Sequence, residues 1–209
     1  MKKSISSIIA TAAIIAFIVG GFYLMSRGNG GSQGGSAAPI DPMHAGTAAS
    51  SGSFNDLVGK PVPAFSLRDR NGAEYSAENL KGKKVVLFFN EGLMCYPACW
   101  NQIVALATDP RFVNSDTAAL SVVIDQPSDW QSAIRKMPDL GKATVLFDTD
   151  KSASQAFGML TVPSSMHYGS YPGHSFVIVD KQGIVRSAFD DPNMGVDNDR
   201  VFAEFEKLN

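Results

Sequence analysis

Cysteine is scarce in this chain, with two among 209 residues. No structural disulfide separate from that pair can therefore brace the fold. An excess of positive charge is also missing, and the formal net charge of −2 leaves no basic footprint for nucleic acid. The sequence holds no phosphate loop, no Ser-His-Asp order and no His-x-x-x-His spacing, which argues against nucleotide-dependent and hydrolytic chemistry. Hydrophobic residues make up 44% of the chain. That is enough for one compact domain with a core, and the length does not demand two.

Both cysteines lie in one run, Met94-Cys95-Tyr96-Pro97-Ala98-Cys99-Trp100, behind the apolar stretch 85–89. Thiols four positions apart at the mouth of a helix sit about 5 to 6 Å apart between Cβ atoms, whereas a disulfide asks for about 4 Å. A modest adjustment lets such a pair open and close a disulfide or clamp one soft metal ion. A permanent bridge would stabilise little, because the loop it closes is so small. In an oxidising compartment the pair tends to oxidise, and its reduction then needs an electron donor.

The first quarter of the chain reads differently from the rest. Lys2 and Lys3 precede an apolar run over 5–25 that is followed by Arg27, close to the ~20 residues that cross a bilayer as a helix. The run exceeds the core of a cleaved signal peptide, so an uncleaved signal anchor is expected over 1–27. The positive N-terminal tip stays in the cytoplasm and the remainder lies outside. Residues 28–53, rich in Gly, Ser and Ala, read as a flexible linker in which Met43-His44 is incidental. The expected location is the cell membrane, single-pass, with an extracytoplasmic domain over 54–209.

That domain alternates β-rich and amphipathic segments. Residues 63–67 alternate at period two, with Arg68-Asp69-Arg70-Asn71-Gly72 as a turn. The run 85–89 reads as a strand buried on both faces. Trp100, Ile103, Val104 and Ala107 then recur at helical spacing. Further strands are expected at 119–124, ending at Asp125, and at 144–147. A helix capped by Ser128 should run toward Lys136, and a shorter one over 151–157 should stop at Gly158. A strand over 175–179, a turn at Asp180-Lys181-Gln182-Gly183, a return strand over 184–187 and a closing helix over 198–208 complete the pattern. The class is α/β, with a mixed central sheet flanked by helices.

With the cysteines at the first strand-to-helix junction, this order resembles the thioredoxin fold. More narrowly it resembles the redoxin branch, the alkyl hydroperoxide reductase and thiol-specific antioxidant family, over 54–208. The resemblance rests on Val58-Gly59-Lys60-Pro61-Val62-Pro63-Ala64-Phe65-Ser66-Leu67, on Asn79-Leu80-Lys81-Gly82-Lys83-Lys84-Val85-Val86-Leu87, and on Ser175-Phe176-Val177-Ile178-Val179-Asp180-Lys181-Gln182-Gly183. Peroxidases of the family carry Pro-x-x-x-Thr-x-x-Cys. Counting back from Cys95 meets Gly92 and Phe88, and from Cys99 meets Tyr96 and Gly92, so neither frame fits. His174 also stands where peroxidases place an arginine. Membrane-tethered thiol-disulfide oxidoreductases of the family use Cys-x-x-Cys and a facing cis-proline. Here His174 falls at or beside that position, with Pro172 nearby. The three-residue spacer is similar to the Sco copper chaperones, whose cysteine pair and distant histidine bind copper, although Trp100 replaces the proline that follows their second cysteine.

The resemblance implies a redox-active dithiol that needs no cofactor, exchanging with protein thiols and disulfides and re-reduced by an unidentified donor. Copper held by Cys95, Cys99 and His174 is the alternative, and an atypical peroxidase is the third reading. A helix N-terminus favours a thiolate, so Cys95 is the expected nucleophile, with Pro97 in the first turn and Cys99 as the resolving thiol. His174 could stabilise the thiolate, shuttle protons, ligate a metal or simply cap backbone groups. Glu91 reads as a solvated loop carboxylate within reach of the site, and Asp125 as a helix or turn cap. Met94 and Met166 are candidate soft ligands beside a core-filling role. Tyr96 and Trp100 should pack around the site or meet a partner.

Overall fold

The computed structural model describes residues 53–208. The expected signal anchor and nearly all of the linker lie outside the described residues, and among those described no helix is long and apolar enough to cross a membrane. Seven strands, β1 (Ser66–Asp69), β2 (Glu74–Ser76), β3 (Lys84–Phe89), β4 (Thr117–Val123), β5 (Thr144–Phe147), β6 (Ser175–Val179) and β7 (Val185–Asp190), form one sheet in the order β2-β1-β5-β4-β3-β6-β7. Strands β3, β4 and β5 are parallel, and the remaining pairings are antiparallel. The α-helices are α1 (Ala98–Thr108), α2 (Pro127–Lys136), α3 (Ser152–Ala156) and α4 (Asn198–Glu206). This is the mixed thioredoxin-like sheet that the pattern implies.

Alternate side chains of a strand point to opposite faces, and β3 supplies both halves of the core. Val86 and Phe88 join Cys95, Cys99, Trp100, Ile103, Trp130, Phe176 and Phe205 on one face. Val85, Leu87 and Phe89 join Leu120, Val122, Phe157, Val177 and Val179 on the other. An unbroken apolar run is what a strand covered on both faces requires.

Several boundaries move for local reasons. The first strand begins at Ser66, and the turn after it is tied by Asp69, whose Oδ1 accepts from Asn71 and Ala73 at 2.8 and 2.9 Å. Gly72 takes φ +82 there. The Ser128 cap is corrected: Gln126 precedes α2 and Pro127 occupies its first turn, where a missing N–H costs nothing. The return strand β7 is longer than expected, reaching Asp190 and pairing with Ser175.

A buried polar bridge fixes α1 against α4. Asn198 accepts from Gln102 Nε2 at 2.9 Å and donates to the Ala105 carbonyl at 3.0 Å and to Asp109 at 2.9 Å. Gln102 Oε1 in turn accepts from the Asp197 amide at 2.7 Å. Replacing Asn198 with Leu strands the Gln102 amide in a buried site, where an unsatisfied donor costs about 1–3 kcal/mol. Urea unfolding of Asn198→Leu is expected to show a loss of about 2 kcal/mol or more. A change under about 0.5 kcal/mol would mean that the bridge carries no stability.

Candidate active site

Strand β3 ends at Phe89 and hands the chain to a turn built to hold the first cysteine. Asn90, fully buried, accepts from the Gly92 amide at 2.9 Å. Gly92 takes φ +59, and a Cβ on it would overlap the Asp125 carboxylate, so the position requires glycine twice over. Asp125 accepts from the Leu93 amide at 3.0 Å, and Trp100 Nε1 donates to the Gly92 carbonyl at 3.0 Å. Asp125 is thus the turn cap expected of it. Burial pushes its carboxyl up to about 6 and nearby Asp129 adds to this, while the Leu93 N–H works against it.

Cys95 follows a single 3₁₀ turn, Gly92–Met94, and does not start the helix. Pro97 flanks the helix start rather than lying in its first turn, and α1 begins at Ala98. The helix-start environment expected at Cys95 therefore falls at Cys99, inside the first turn. The two sulfurs are bonded, with Cα atoms 5.4 Å apart, and both residues are buried, at 3% and 1% exposure. Among the described residues the only cis peptide is Tyr96–Pro97, so Pro172 does not supply the facing cis-proline.

His174 does face the pair. Strand β6 pairs antiparallel with β3, Ser175 opposite Phe89, and continuing that register sets His174 level with Asn90. Its Nδ1 lies 3.6 Å from Cys99 Sγ, and its ring packs edge-on against Phe88 and Phe176. Nε2 is buried without a hydrogen-bond partner. Burial pushes the imidazole down to about 4, opposed by Asp191, the Gly195 backbone and Asp190, so the ring is neutral at physiological pH. Cys95, Cys99 and His174 each place a donor atom within 4.8 Å of the others.

Other candidates separate. Glu91 is buried, at 1% exposure, which corrects the solvated-loop reading. Its Oε1 accepts from the Met166 and His167 amides at 2.7 and 3.1 Å, and Oε2 lies 3.0 Å from His167 Nδ1. These contacts compensate the buried carboxylate. Met94 and Met166 are more than half exposed and are not core filler. Tyr96 is exposed over buried Trp100, with ring centroids 4.8 Å apart and Lys136 Nζ 3.6 Å above the tyrosine ring. One neighbour went unread in the sequence: Met194, whose Sδ lies 3.9 Å from Cys95 Sγ. The readable signal was the turn-forming Asp191-Pro192-Asn193 run before it.

His174 and Asp125 pull stability in opposite directions over the same acid range. The unfolded histidine takes a proton near its ordinary 6.5 and the folded one only near 4. Its contribution is therefore complete above 6.5 and lost as pH falls toward 4. Folded Asp125 keeps its proton up to about 6, against 3.8 ordinarily, so its contribution is complete below 3.8 and lost as pH rises through 6. Each swing is roughly 3 kcal/mol. Relative to wild type, Asp125→Asn is expected to gain stability as pH rises from 4 to 6, and His174→Asn to lose it. Chemical unfolding at several pH values measures both slopes, and parallel curves for the two variants would contradict this assignment.

Residues 58–188, which include both cysteines and His174, match the model of the AhpC/TSA family. Chloroplastic peroxiredoxin Q from Populus jackii is 28% identical over 136 residues, covering 61% of this chain and 57% of that protein. The corresponding protein of Triticum aestivum is 28% identical over 161 residues, covering 72% and 68%. The chain thus spans under three-fifths of the length of the first of these curated relatives. The reduced 2-Cys peroxiredoxin of Plasmodium vivax superposes with a TM-score of 0.60 at 22% identity, over 73% of this chain and 96% of that one. A putative protein disulfide isomerase from Bacteroides thetaiotaomicron gives 0.56 at 15%, over 72% and 89%. At such identities the solved structures speak for the fold alone. The family match extends over more than half of the sequence and spans the whole cysteine-histidine site: the chain belongs to the AhpC/TSA family.

Proposed function

We propose that this chain is a thiol-disulfide oxidoreductase, anchored in the cell membrane by the apolar run 5–25 and working outside the cytoplasm through Cys95 and Cys99. The observation that carries the reading is the bonded pair with a buried histidine against one of its sulfurs. A partner thiolate attacks Cys95 Sγ, the Cys95–Cys99 bond breaks, and its electron pair leaves on Cys99. Cys99 is the better leaving sulfur, because the first-turn amides of α1 and an Nδ1–H of His174 can both support its charge. A second partner thiolate then resolves the mixed disulfide at Cys95. The partner ends as a disulfide and the protein as a dithiol. Run backwards, the dithiol reduces a partner disulfide with Cys95 as the nucleophile.

Both cysteines are buried when bonded, so exchange with a partner requires the segment around Cys95 to open. Peroxidase chemistry is the weaker reading for this site, although the curated relatives carry the name peroxiredoxin Q. Neither cysteine frame has the Pro and Thr of that chemistry, and among the described residues no arginine hydrogen-bonds to either sulfur. The electron donor and the partner thiols belong to the same proposal.

Cys95→Ser is expected to abolish reductase activity on a protein disulfide, while Cys99→Ser accumulates mixed disulfides through Cys95, seen on non-reducing gels. Exchange that survives Cys95→Ser would exclude this mechanism, and peroxide consumption dependent on Cys95 without exchange would favour the peroxidase.

A second reading rests on the compact donor cluster. Two cysteine sulfurs and an imidazole nitrogen within 4.8 Å of one another would, once the pair is reduced, suit a soft ion, and Cu(I) is the soft-ligand choice. Anaerobic titration of the reduced chain with Cu(I) is expected to give one equivalent. Outer-shell partners of a metal already cost about 10–100-fold in affinity, so His174→Ala should weaken binding by about tenfold or more. Unchanged affinity would reject the three-ligand site.

A further inference from the structure

Met194 approaches the cysteine pair on the Cys95 side, which His174 leaves open. Its Sδ lies 3.9 Å from Cys95 Sγ, whereas His174 Nδ1 lies 3.6 Å from Cys99 Sγ. Each sulfur of the pair therefore has its own soft or borderline neighbour. Cys95 carries no S–H while bonded, so this contact is not a hydrogen bond. The methionine is half-buried and packs on the same core face as the cysteines.

The backbone sets this approach. Met194 takes φ +53, a left-handed conformation that is uncommon for a residue with a side chain and is held only where the surroundings impose it. Those surroundings are on the same loop. Asp191 accepts from the Asn193 and Gly195 amides at 3.0 and 2.7 Å, and its carbonyl accepts from the Met194 amide at 3.1 Å. The Asp191 amide donates to the His174 carbonyl at 2.9 Å. One backbone hydrogen bond thus ties the methionine loop to the histidine.

We infer that Met194 supplies a fourth, thioether donor to the Cys95-Cys99-His174 site and thereby selects Cu(I) over Zn(II). The inference rests on the copper reading above and adds a ligand to it. Zinc takes thiolate, imidazole and carboxylate ligands, whereas thioether and thiolate together suit Cu(I). Among the described residues no acidic side chain joins the cluster, so hard cations find no carboxylate ligand in it. Two thiolates with Cu(I) carry one net negative charge, and the N-terminus of α1 beside Cys99 offsets part of it.

Loading requires the reduced pair. A dithiol reductant transfers two electrons and two protons to the Cys95–Cys99 bond and becomes a disulfide itself. The two thiols then release two protons as their sulfurs bind Cu(I).

Met194→Leu keeps the volume and removes the sulfur. The full-length chain, reduced with a dithiol and titrated anaerobically with Cu(I) and separately with Zn(II), separates the outcomes. Met194→Leu is expected to bind Cu(I) about tenfold more weakly, with Zn(II) affinity unmoved. X-ray absorption should show three sulfurs and one nitrogen around copper in wild type, and one sulfur fewer in the variant. A wild-type chain that binds Cu(I) while Met194→Leu matches it in affinity and sulfur count overturns the fourth ligand alone. A wild-type chain that binds no Cu(I) overturns the copper reading with it.

Discussion

The antiparallel register of β6 on β3 is the constraint from which the site follows. Phe89 opposite Ser175 sets His174 beside the turn that leaves β3, and that turn carries Cys95 toward α1. Because β3 and β6 each supply both core faces, a one-residue slip would turn either Phe88 and Phe89 of β3 or Phe176 and Val177 of β6 onto the wrong faces. The histidine-sulfur contact is therefore a by-product of core packing. Phe88 and Phe176, which lock the register, are also the rings that desolvate His174. One set of aromatic contacts holds the sheet together and keeps the imidazole neutral.

Around that pair the protein spends very little hydrogen bonding on the sulfurs and a great deal on the loops that enclose them. Asp125 and Trp100 tie the turn before Cys95. Glu91 ties the 166–167 segment, and Asp190 receives the Ser164 amide and the hydroxyls of Ser164 and Ser175 next to His174. The sulfurs themselves meet an imidazole and a thioether. Such a shell is rigid in its frame and soft at its centre, a combination suited to reversible sulfur chemistry in which bond exchange should not disturb the fold.

Much of this was legible in the residues, because the informative signals were local. The strand over 85–89, the turn at Asp180-Lys181-Gln182-Gly183 and the amphipathic stretch after Cys99 each carry their period within a few positions, and the cysteine spacing is visible directly. His174 was reachable because it immediately precedes a readable strand. The failures are non-local. Glu91 looks like a loop carboxylate until a segment 75 positions away supplies its N–H donors. Met194 meets a cysteine 99 positions away only because β7 returns past β6. The helix start was misplaced because the Cys95-Tyr96-Pro97 segment lies outside α1 and leaves Cys99 alone in the first turn.

Reversible exchange at Cys95 and Cys99 is the central claim, and the equilibrium redox titration of that pair tests it most directly. The chain is held in thiol-disulfide buffers of stepped potential, quenched by alkylation, and its free thiols are counted. One two-electron transition between about −300 and −100 mV is the expected result, the span in which exchange-active protein disulfides operate. A pair that stays fully oxidised across that span, leaving the disulfide as a structural element, or one that stays fully reduced, would contradict the claim.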